Sequence, residues 1–574
     1  MTARRNPLPL AAGIGNLTLA STVTVGLLLG MVFVLGLAIL LIIDSADPAM
    51  GLLKAIVTTI VVNSIVFFLA PYIMDMIQGG LYQTRWVSLV DIERQSRASA
   101  NIIRQICAEK GLKTPKLGLI NDQNPTAFTY GSLPNTARVV VSQGLFTYLA
   151  DEEAAAVYAH ELGHVVHWDF AVMTLAQTLV QICFLLYVFL REMGRGDSDS
   201  KGANVARSVA LAAYIFYIVG TYLVLYLSRV REYFADHFAA EATGNPNALS
   251  RALVKIAYGI VDQSQKSETP SRMLEGTRAL GIFDPKAAVA TGTVYGSAGT
   301  EAVGRVFLWD LFNPWATWME LNSTHPLTGK RIRALANYAE ALGQAAAFNM
   351  AAIVSEGRYL DKGRLYGGFI LDILVYAAPR LGGFLGLVAG IITAVFLARD
   401  LGNDNDLKVI LLVVGSWLLG WGFGKLLKLG VMYPSFRQAP AMDVLTLMSD
   451  PYASPLRGRP ARLEGQVIGR GDSGYIWGSD LQFQDKTGLI FLHYASRFGS
   501  LGNFLFGAKQ VKGFIGQQGE VLGWFRRGLA SYMDLIQLRL GNRRISSFHR
   551  FWGWFWSGFL LLFGALFLLL GIAA

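Results

Sequence analysis

The sequence predicts a mainly α, multi-span membrane protein that carries an α+β domain around one HExxH helix and a small β-rich domain near its C-terminus. Three observations predict this. Apolar runs of about 20 residues recur at about seven places, in a chain that is 53% hydrophobic and only 16% charged, with a mean hydropathy of +0.40. The stretch His160-Glu161-Leu162-Gly163-His164 lies between the second and third runs. Residues 433–549 break into short alternating apolar segments divided by glycines, as in a small β-barrel.

The runs are Thr22 to Ile43, Ala55 to Ile73, Phe170 to Leu190, Val209 to Leu227, Leu381 to Ala398, Val409 to Leu427 and Phe551 to Ile572. The first is too long for a signal peptide and has no small-residue cleavage site after it. Leu365 to Ala378 is apolar but carries Asp372, which predicts an interfacial or re-entrant helix ended by Pro379. Charges orient the spans. Arg4 and Arg5 place the N-terminus inside, and Asp44 and Asp47 place the first hairpin loop outside. Arg85, Arg94, Arg97 and Arg104 place the HExxH region inside. The loop between the third and fourth spans is mixed: Arg191, Arg195, Lys201 and Arg207 oppose Glu192, Asp197 and Asp199. Asp400, Asp404 and Asp406 mark a later outside turn; Lys425, Lys428, Arg543, Arg544 and Arg550 mark inside ends.

Between the second and third spans, Gln83 to Asp169 reads as a helix, strands at Leu117 to Ile120, Thr126 to Tyr130 and Ala137 to Val141, and the HExxH helix. Asp151 is its expected N-cap, with Glu152 and Glu153 favouring the positive helix start. Positions i and i+4 share a helix face, so His160 and His164 point the same way and can grip one Zn²⁺, with Glu161 beside the open coordination position as general base. A catalytic zinc keeps three protein ligands and one water. After the fourth span, Ser228-Arg229-Val230-Arg231-Glu232-Tyr233-Phe234-Ala235-Asp236 places Glu232 and Asp236 on one face. An ordinary charged face would pair them with Arg229 or Arg231. Beside an HExxH helix, Glu232 reads as the third ligand and Asp236 as an acceptor that orients a ligand histidine. His167 and Asp169 are the next ligand candidates. His164 and Glu232 can share an ion only on one membrane side, which requires an even number of spans between them.

These residues carry a resemblance. With Arg231-Glu232-Tyr233-Phe234-Ala235-Asp236, and with Ser323-Thr324-His325-Pro326 followed by Arg331, the HExxH motif is similar to that of HtpX-type integral-membrane zinc metalloproteases, which are related to the CAAX prenyl proteases. The similarity covers roughly Leu17 to Leu342. It implies a gluzincin-like protease domain, one Zn²⁺ held by His160, His164 and Glu232, Glu161 as catalytic base, and His325 near the substrate or the tetrahedral intermediate. It implies membrane-protein or peptide substrates, a quality-control role, and a bacterial inner membrane with the active site cytoplasmic. A CAAX-type processing protease is the alternative within the same chemistry. Thr126, Ala127 and Phe128 correspond to the substrate-binding strand at the cleft, where the family usually carries Asn-Ala-Phe; Thr126 stands in place of that Asn. The strand nearest the zinc helix could take an extended peptide by edge addition.

Ser228 to Gln344 reads as mostly helical, with an amphipathic core helix at Asn247 to Ile260, breakers at Pro285 and Pro326, and a flexible region from Gly292 to Thr300. The β-rich piece shows runs at Arg462 to Arg470, Gly474 to Trp477, Leu481 to Asp485, Ile490 to Tyr494 and Val521 to Phe525. The expected domains are therefore 1–80, a hairpin; 81–360, interrupted by a hairpin at about 170–227; 361–430, an amphipathic segment and hairpin; 431–548, basic and β-rich; and 549–574, a last span. The net charge of +10 fits anionic lipid headgroups better than nucleic acid. Cys107 and Cys183 give neither a disulfide framework nor a Cys-type zinc site. A transporter would keep ionisable groups in mid-span, which these runs lack. A non-catalytic scaffold binding unfolded membrane segments would have no need of Glu161.

Overall fold

The computed structural model describes Leu8 and residues 17–42, 46–194, 201–266, 303–400, 406–470, 479–529 and 531–573. Arg4 and Arg5, the Asp44 turn, Arg195 to Asp199, Pro285, the 292–300 segment, Asp404 and the 474–477 run lie outside the described residues. The chain forms two compact units, one built mainly from Met1–Ile260 and Trp318–Met350, the other from Val289–Thr317 and Ala351–Ala574.

In the first unit the order is α1 (Leu17–Ile42), α2 (Ala46–Leu81), β1 (Arg85–Val87), α3 (Leu89–Gln95), α4 (Arg97–Lys110), β2 (Lys116–Ile120), β3 (Ala127–Tyr130), β4 (Arg138–Ser142) and α5 (Gln143–Tyr148). Then follow α6 (Asp151–Val166), α7 (Asp169–Met193), α8 (Lys201–Thr243) and α9 (Pro246–Lys266). The four strands order as β1-β2-β4-β3, so β3 is an edge strand. β4 runs parallel to β2 and antiparallel to β3, with Ala127 opposite Val141 and Tyr130 opposite Arg138. The core lies where α4, α6, α8 and α9 meet the sheet: Ile103, Ile106, Val139, Val141, Val157, Leu162, Ala239 and Leu253 are buried together.

Local details correct one expectation. The N-cap of α6 is Ala150, whose N–H donates to Glu153 Oε2 at 2.9 Å. Asp151 instead serves the neighbouring helix, accepting from the Ala98 N–H at 3.1 Å at the start of α4. The sheet also sits on the end of the second span. Asp75 in α2 accepts from the Tyr130 hydroxyl at 2.8 Å, from Arg138 at 3.1 Å and from Lys116 at 3.0 Å.

Beyond the 303–312 helix, α10, come α11 (Pro314–Glu320), α12 (Thr328–Ala341), α13 (Met350–Arg358), α14 (Lys362–Asp400), α15 (Asp406–Met432) and α16 (Val444–Met448). They are followed by β5 (Arg459–Arg470), β6 (Leu481–Gln484), β7 (Leu489–His493), α17 (Gly499–Lys509), β8 (Gln518–Arg526), β9 (Tyr532–Leu540), β10 (Arg543–Ser546) and α18 (His549–Ala573). Pro379 does not end a helix. It lies inside the 39-residue α14, so the amphipathic segment and the fifth span are one helix. Asp372 is buried there and accepts from Trp315 Nε1 at 2.8 Å, Ser454 Oγ at 2.7 Å and Arg457 Nε at 2.7 Å, which removes the reason to hold that segment at the interface. α14 and α15 approach closely along glycines: a Cβ on Gly386 would meet Ser416 O at 2.1 Å.

The strands of the second unit close into a barrel. β5 pairs β6 and β8, β6 pairs β7, β7 runs parallel to β9, and β9 pairs β8, with α17 crossing from β7 to β8. This is the connectivity of an OB-type five-stranded Greek-key barrel, extended by β10 on β9. Seven helices among the described residues are long and apolar enough to cross a membrane; they lie within α1, α2, α7, α8, α14, α15 and α18.

Candidate metal centre

The site is assembled from α6, α8, β3 and the loop before α12. One turn of α6 separates His160 from His164, whose Nε2 atoms are 3.3 Å apart. From α8, Glu232 Oε2 lies 3.6 Å from His160 Nε2 and Oε1 lies 3.5 Å from His164 Nε2. Ligand atoms about 2.0–2.1 Å from a tetrahedral ion stand roughly 3.3–3.4 Å apart, so these three donors span one face of a zinc-sized tetrahedron. Gly163 lets the two helices come this close, since a Cβ there would lie 3.1 Å from Ala235 Cα.

Each histidine is fixed from behind. His160 Nδ1 lies 2.9 Å from Asp236 Oδ1, and His164 Nδ1 lies 2.5 Å from Asp169 Oδ2. Such carboxylate contacts set the tautomer and turn the Nε2 lone pair toward an ion. The carboxylates are held in turn by buried arginines. Arg331 in α12 donates to Asp236 through Nε at 2.8 Å and Nη2 at 2.7 Å, and its Nη1 lies 3.3 Å from Glu232 Oε2. Arg231 pairs with Asp169. Counting protein groups alone, burial disfavours a charge on His164, but Asp169, Glu232 and Glu161 outweigh it and hold the imidazole up at about 9. A cation must displace that proton to bind.

Glu161 is buried next to this group. Its Oε2 accepts from Thr129 Oγ1 at 2.6 Å, and its Oε1 has no hydrogen-bond partner among the described residues. Burial pushes its carboxyl up to about 7, although His164 and the Thr129 hydrogen bond pull the other way. His325 is buried as well, with Nε2 3.5 Å from Glu232 Oε1 and Nδ1 2.9 Å from Thr324 Oγ1. Its loop is tied down by Arg229, which donates to the carbonyls of Glu320 and Ser323 at 2.8 Å each.

The structure thus brings His160, Glu161, His164, Glu232, Asp236 and His325 to one place. On the cleft strand the picture is more specific than the sequence allowed. Thr126 precedes β3, and its backbone is engaged with Ser142, as donor to Oγ and as acceptor from N–H, both at 3.0 Å. Phe128 points to the far face, packed with Ile120, Tyr130 and Val140. Because Thr126 turns its carbonyl toward β4, antiparallel alternation leaves the backbone groups of Ala127 and Thr129 at the outer edge.

Thr129 and the paired role of Arg331 escaped sequence reasoning, and Asp169, which the sequence offers as a further ligand candidate, instead stands behind His164. Asp169 follows His164 by five residues and opens the next helix past Trp168, whose φ of 60° makes the turn. No helical spacing rule reaches across such a turn. Arg229 and Arg231, the expected partners of the Glu232 face, are used elsewhere; the arginine that pairs there comes from α12.

The sequence model of peptidase family M48 matches residues 93–339. A Protease HtpX homolog 2 of Methanosarcina mazei is 32% identical over 255 residues, covering 44% of this chain and 76% of that protein. The chain belongs to peptidase family M48. Other relatives are of the same name: a Protease HtpX homolog of Thermococcus sibiricus is 28% identical over 51% of this chain and 88% of its own length. One from Methanothermobacter thermautotrophicus is 32% identical over 30% of this chain and 65% of its own length. Among solved structures, Ste24p of S. mikatae is similar over 52% of this chain and 62% of its own, at 16% identity and a TM-score of 0.32. The M48 match begins and ends inside the chain, and the barrel strands β5 to β10 lie outside it. M48 is a family of metalloproteases; the three potential ligands His160, His164 and Glu232 fall within its boundaries, on a chain with seven apolar helices.

Proposed function

We propose that the chain is a zinc endopeptidase that hydrolyses peptide bonds of membrane proteins at the cytoplasmic membrane surface, in the service of protein quality control. The observation that carries this reading is the spacing of His160 Nε2, His164 Nε2 and the Glu232 carboxylate at 3.3–3.6 Å, with a carboxylate behind each imidazole. Two nitrogens and one carboxylate suit zinc, and three protein ligands leave a fourth position open. Bound there, zinc would polarise a scissile carbonyl and acidify water.

The chain's own residues do the remaining work. Glu161 Oε1 is free to take the proton of the attacking water and to pass it to the leaving amine. Thr129 holds the other carboxylate oxygen, so the proton is handled at one defined atom. His325 Nε2 lies 3.5 Å from Glu232 Oε1, within reach of the open ligand position, where a donor stabilises the developing oxyanion. An extended substrate adds to the edge of β3 and bonds to the backbone of Ala127 and Thr129, which places its scissile bond beside α6. Thr126 contributes to strand geometry through its backbone N–H, which donates to Ser142 Oγ.

The test is cleavage of an unfolded membrane protein by full-length enzyme in detergent. Glu161→Gln is expected to abolish cleavage with one zinc per chain retained. Substantial cleavage by this variant at full metal content would refute the assignment.

A further inference from the structure

The second unit carries an apolar surface that neither the metal centre nor the spans account for. α17 packs one face on the barrel: Gly502 and Phe506 are buried, and the Phe506 ring stacks on Tyr494 at 3.8 Å. The opposite face carries Leu501, Phe504 and Leu505, which are 69%, 43% and 44% exposed. They follow an i, i+3, i+4 spacing, so they form one stripe pointing away from the barrel. Phe498, 77% exposed, extends the patch at one end, and Ile515, 43% exposed, extends it beyond the other. A helix that met water on this face would carry polar residues there. The basic residues Arg497, Lys509 and Lys512 are exposed around the stripe and absent from it.

The location says what covers this surface. Trp552, in the first turn of the membrane-spanning α18, donates its Nε1–H to the carbonyl of Ser496 at 2.8 Å. Gly499, the first residue of α17, lies against the same indole; a Cβ there would be 3.3 Å from Trp552 Cζ2. Trp554 and Trp556 of α18 are exposed and complete an aromatic cluster of the kind that sits at headgroup level. The start of α17 is therefore fixed against the first turn of α18.

We propose that α17 is an interfacial helix that lays Phe498, Leu501, Phe504, Leu505 and Ile515 into the lipid surface beside α18. An amphipathic helix lying in the interface buries its apolar face at the boundary of headgroups and acyl chains. Arg497, Lys509 and Lys512 then meet anionic headgroups. The barrel is held to the membrane along a helix in the plane as well as by the span that enters it.

Site-directed spin labels on the full-length protein test this. Single cysteines replace Ser500, Leu501, Phe504, Leu505 or Lys509; the native Cys107 and Cys183 are buried. The protein is reconstituted in vesicles of phosphatidylcholine and phosphatidylglycerol, and each label is probed with molecular oxygen and with a nickel chelate. Labels at 501, 504 and 505 are expected to collide more with oxygen, and labels at 500 and 509 more with nickel. Two results overturn the proposal. Nickel contact at 501, 504 and 505 equal to that at 500 means that water covers the stripe. Shielding from both probes means that a protein surface, a second copy included, covers it.

Discussion

Asp236 faces two demands at once. It orients His160 through Nδ1 and it neutralises Arg331, which is buried and whose other acidic neighbour is Glu232. Loss of a carboxylate behind a ligand histidine costs about 10–100-fold in metal affinity. Removing one partner of a buried ion pair costs on the order of 3–5 kcal/mol of stability. Asp236→Ala is therefore expected to lower both metal affinity and thermal stability, whereas Asp236→Ala combined with Arg331→Met recovers part of the stability and none of the affinity. Thermal unfolding and metal titration on the same samples check this. His325 poses a different question, since its Nε2 is close enough to Glu232 to support the site as well as to meet a substrate. His325→Ala is expected to cut turnover by about a hundredfold at unchanged metal content; lost metal would make it a support or ligand, and unchanged turnover would make it structural. The residues legible in the sequence were those fixed by local spacing: His160 and His164, and Glu232 and Asp236, each pair one helical turn apart. Asp169 and Thr129 reach the site from a turn and from a strand, and their roles depend on contacts between elements that no spacing encodes.

At the scale of elements, the site depends on how closely α6 and α8 pack. Gly163 lies inside the HExxH motif at a point where a Cβ would be 3.1 Å from Ala235 Cα and 3.4 Å from Ala235 Cβ. A branched side chain there has no room, because two of its nearest neighbours are the Cα and Cβ of Ala235 on the facing helix and the third is the Phe238 ring at 3.3 Å. Gly163→Val is expected to push α8 outward, draw Glu232 from the two imidazoles and lower metal affinity, while Gly163→Ala has a much smaller effect. Metal titration of the two variants separates this from a general loss of fold, which circular dichroism would reveal. Elements were read well from the sequence where hydrophobic periodicity is long, as in the seven spans and α9. They were read less well where they are short or interrupted. β1 has three residues, too few for alternation to register. β9 carries Asp534, Gln537 and Arg539 among its apolar positions and gives a mixed pattern, although Asp534 and Gln537 are buried in the barrel. Pro379 looked like a helix end because proline removes a backbone donor. Long apolar helices tolerate it when neighbours re-satisfy the freed groups, and α14 packs closely on α15 around that point.

At the scale of the whole chain, one helix joins the membrane to the chemistry. α8 runs for 43 residues, about 64 Å at the usual helical rise, and carries both an apolar span and Glu232 with Asp236. α7 begins at Asp169, five residues after His164, and also contains a span. His164 Nε2 and Glu232 Oε1 are 3.5 Å apart, so the chain leaves the site through α7 and returns through α8. Two helices long and apolar enough to cross therefore separate the ligands, which predicts an even number of crossings between them whatever the mixed charge of the intervening loop suggests. Combined with the basic flanks of the second span, this is the ground for expecting the metal centre on the cytoplasmic side. A reporter active only in the cytoplasm is expected to give signal when fused after Leu145, Asn247 or Gly465, and none after Pro48, Gly202 or Asn403. The informative position is Gly202, where loop charge is ambiguous and geometry is not. Signal there would mean that α7 and α8 do not form a spanning pair, and the two ligands would then have to meet without a membrane hairpin between them. Signal after Asn403 with none after Gly202 would leave the metal centre in place and reverse only the α14–α15 hairpin.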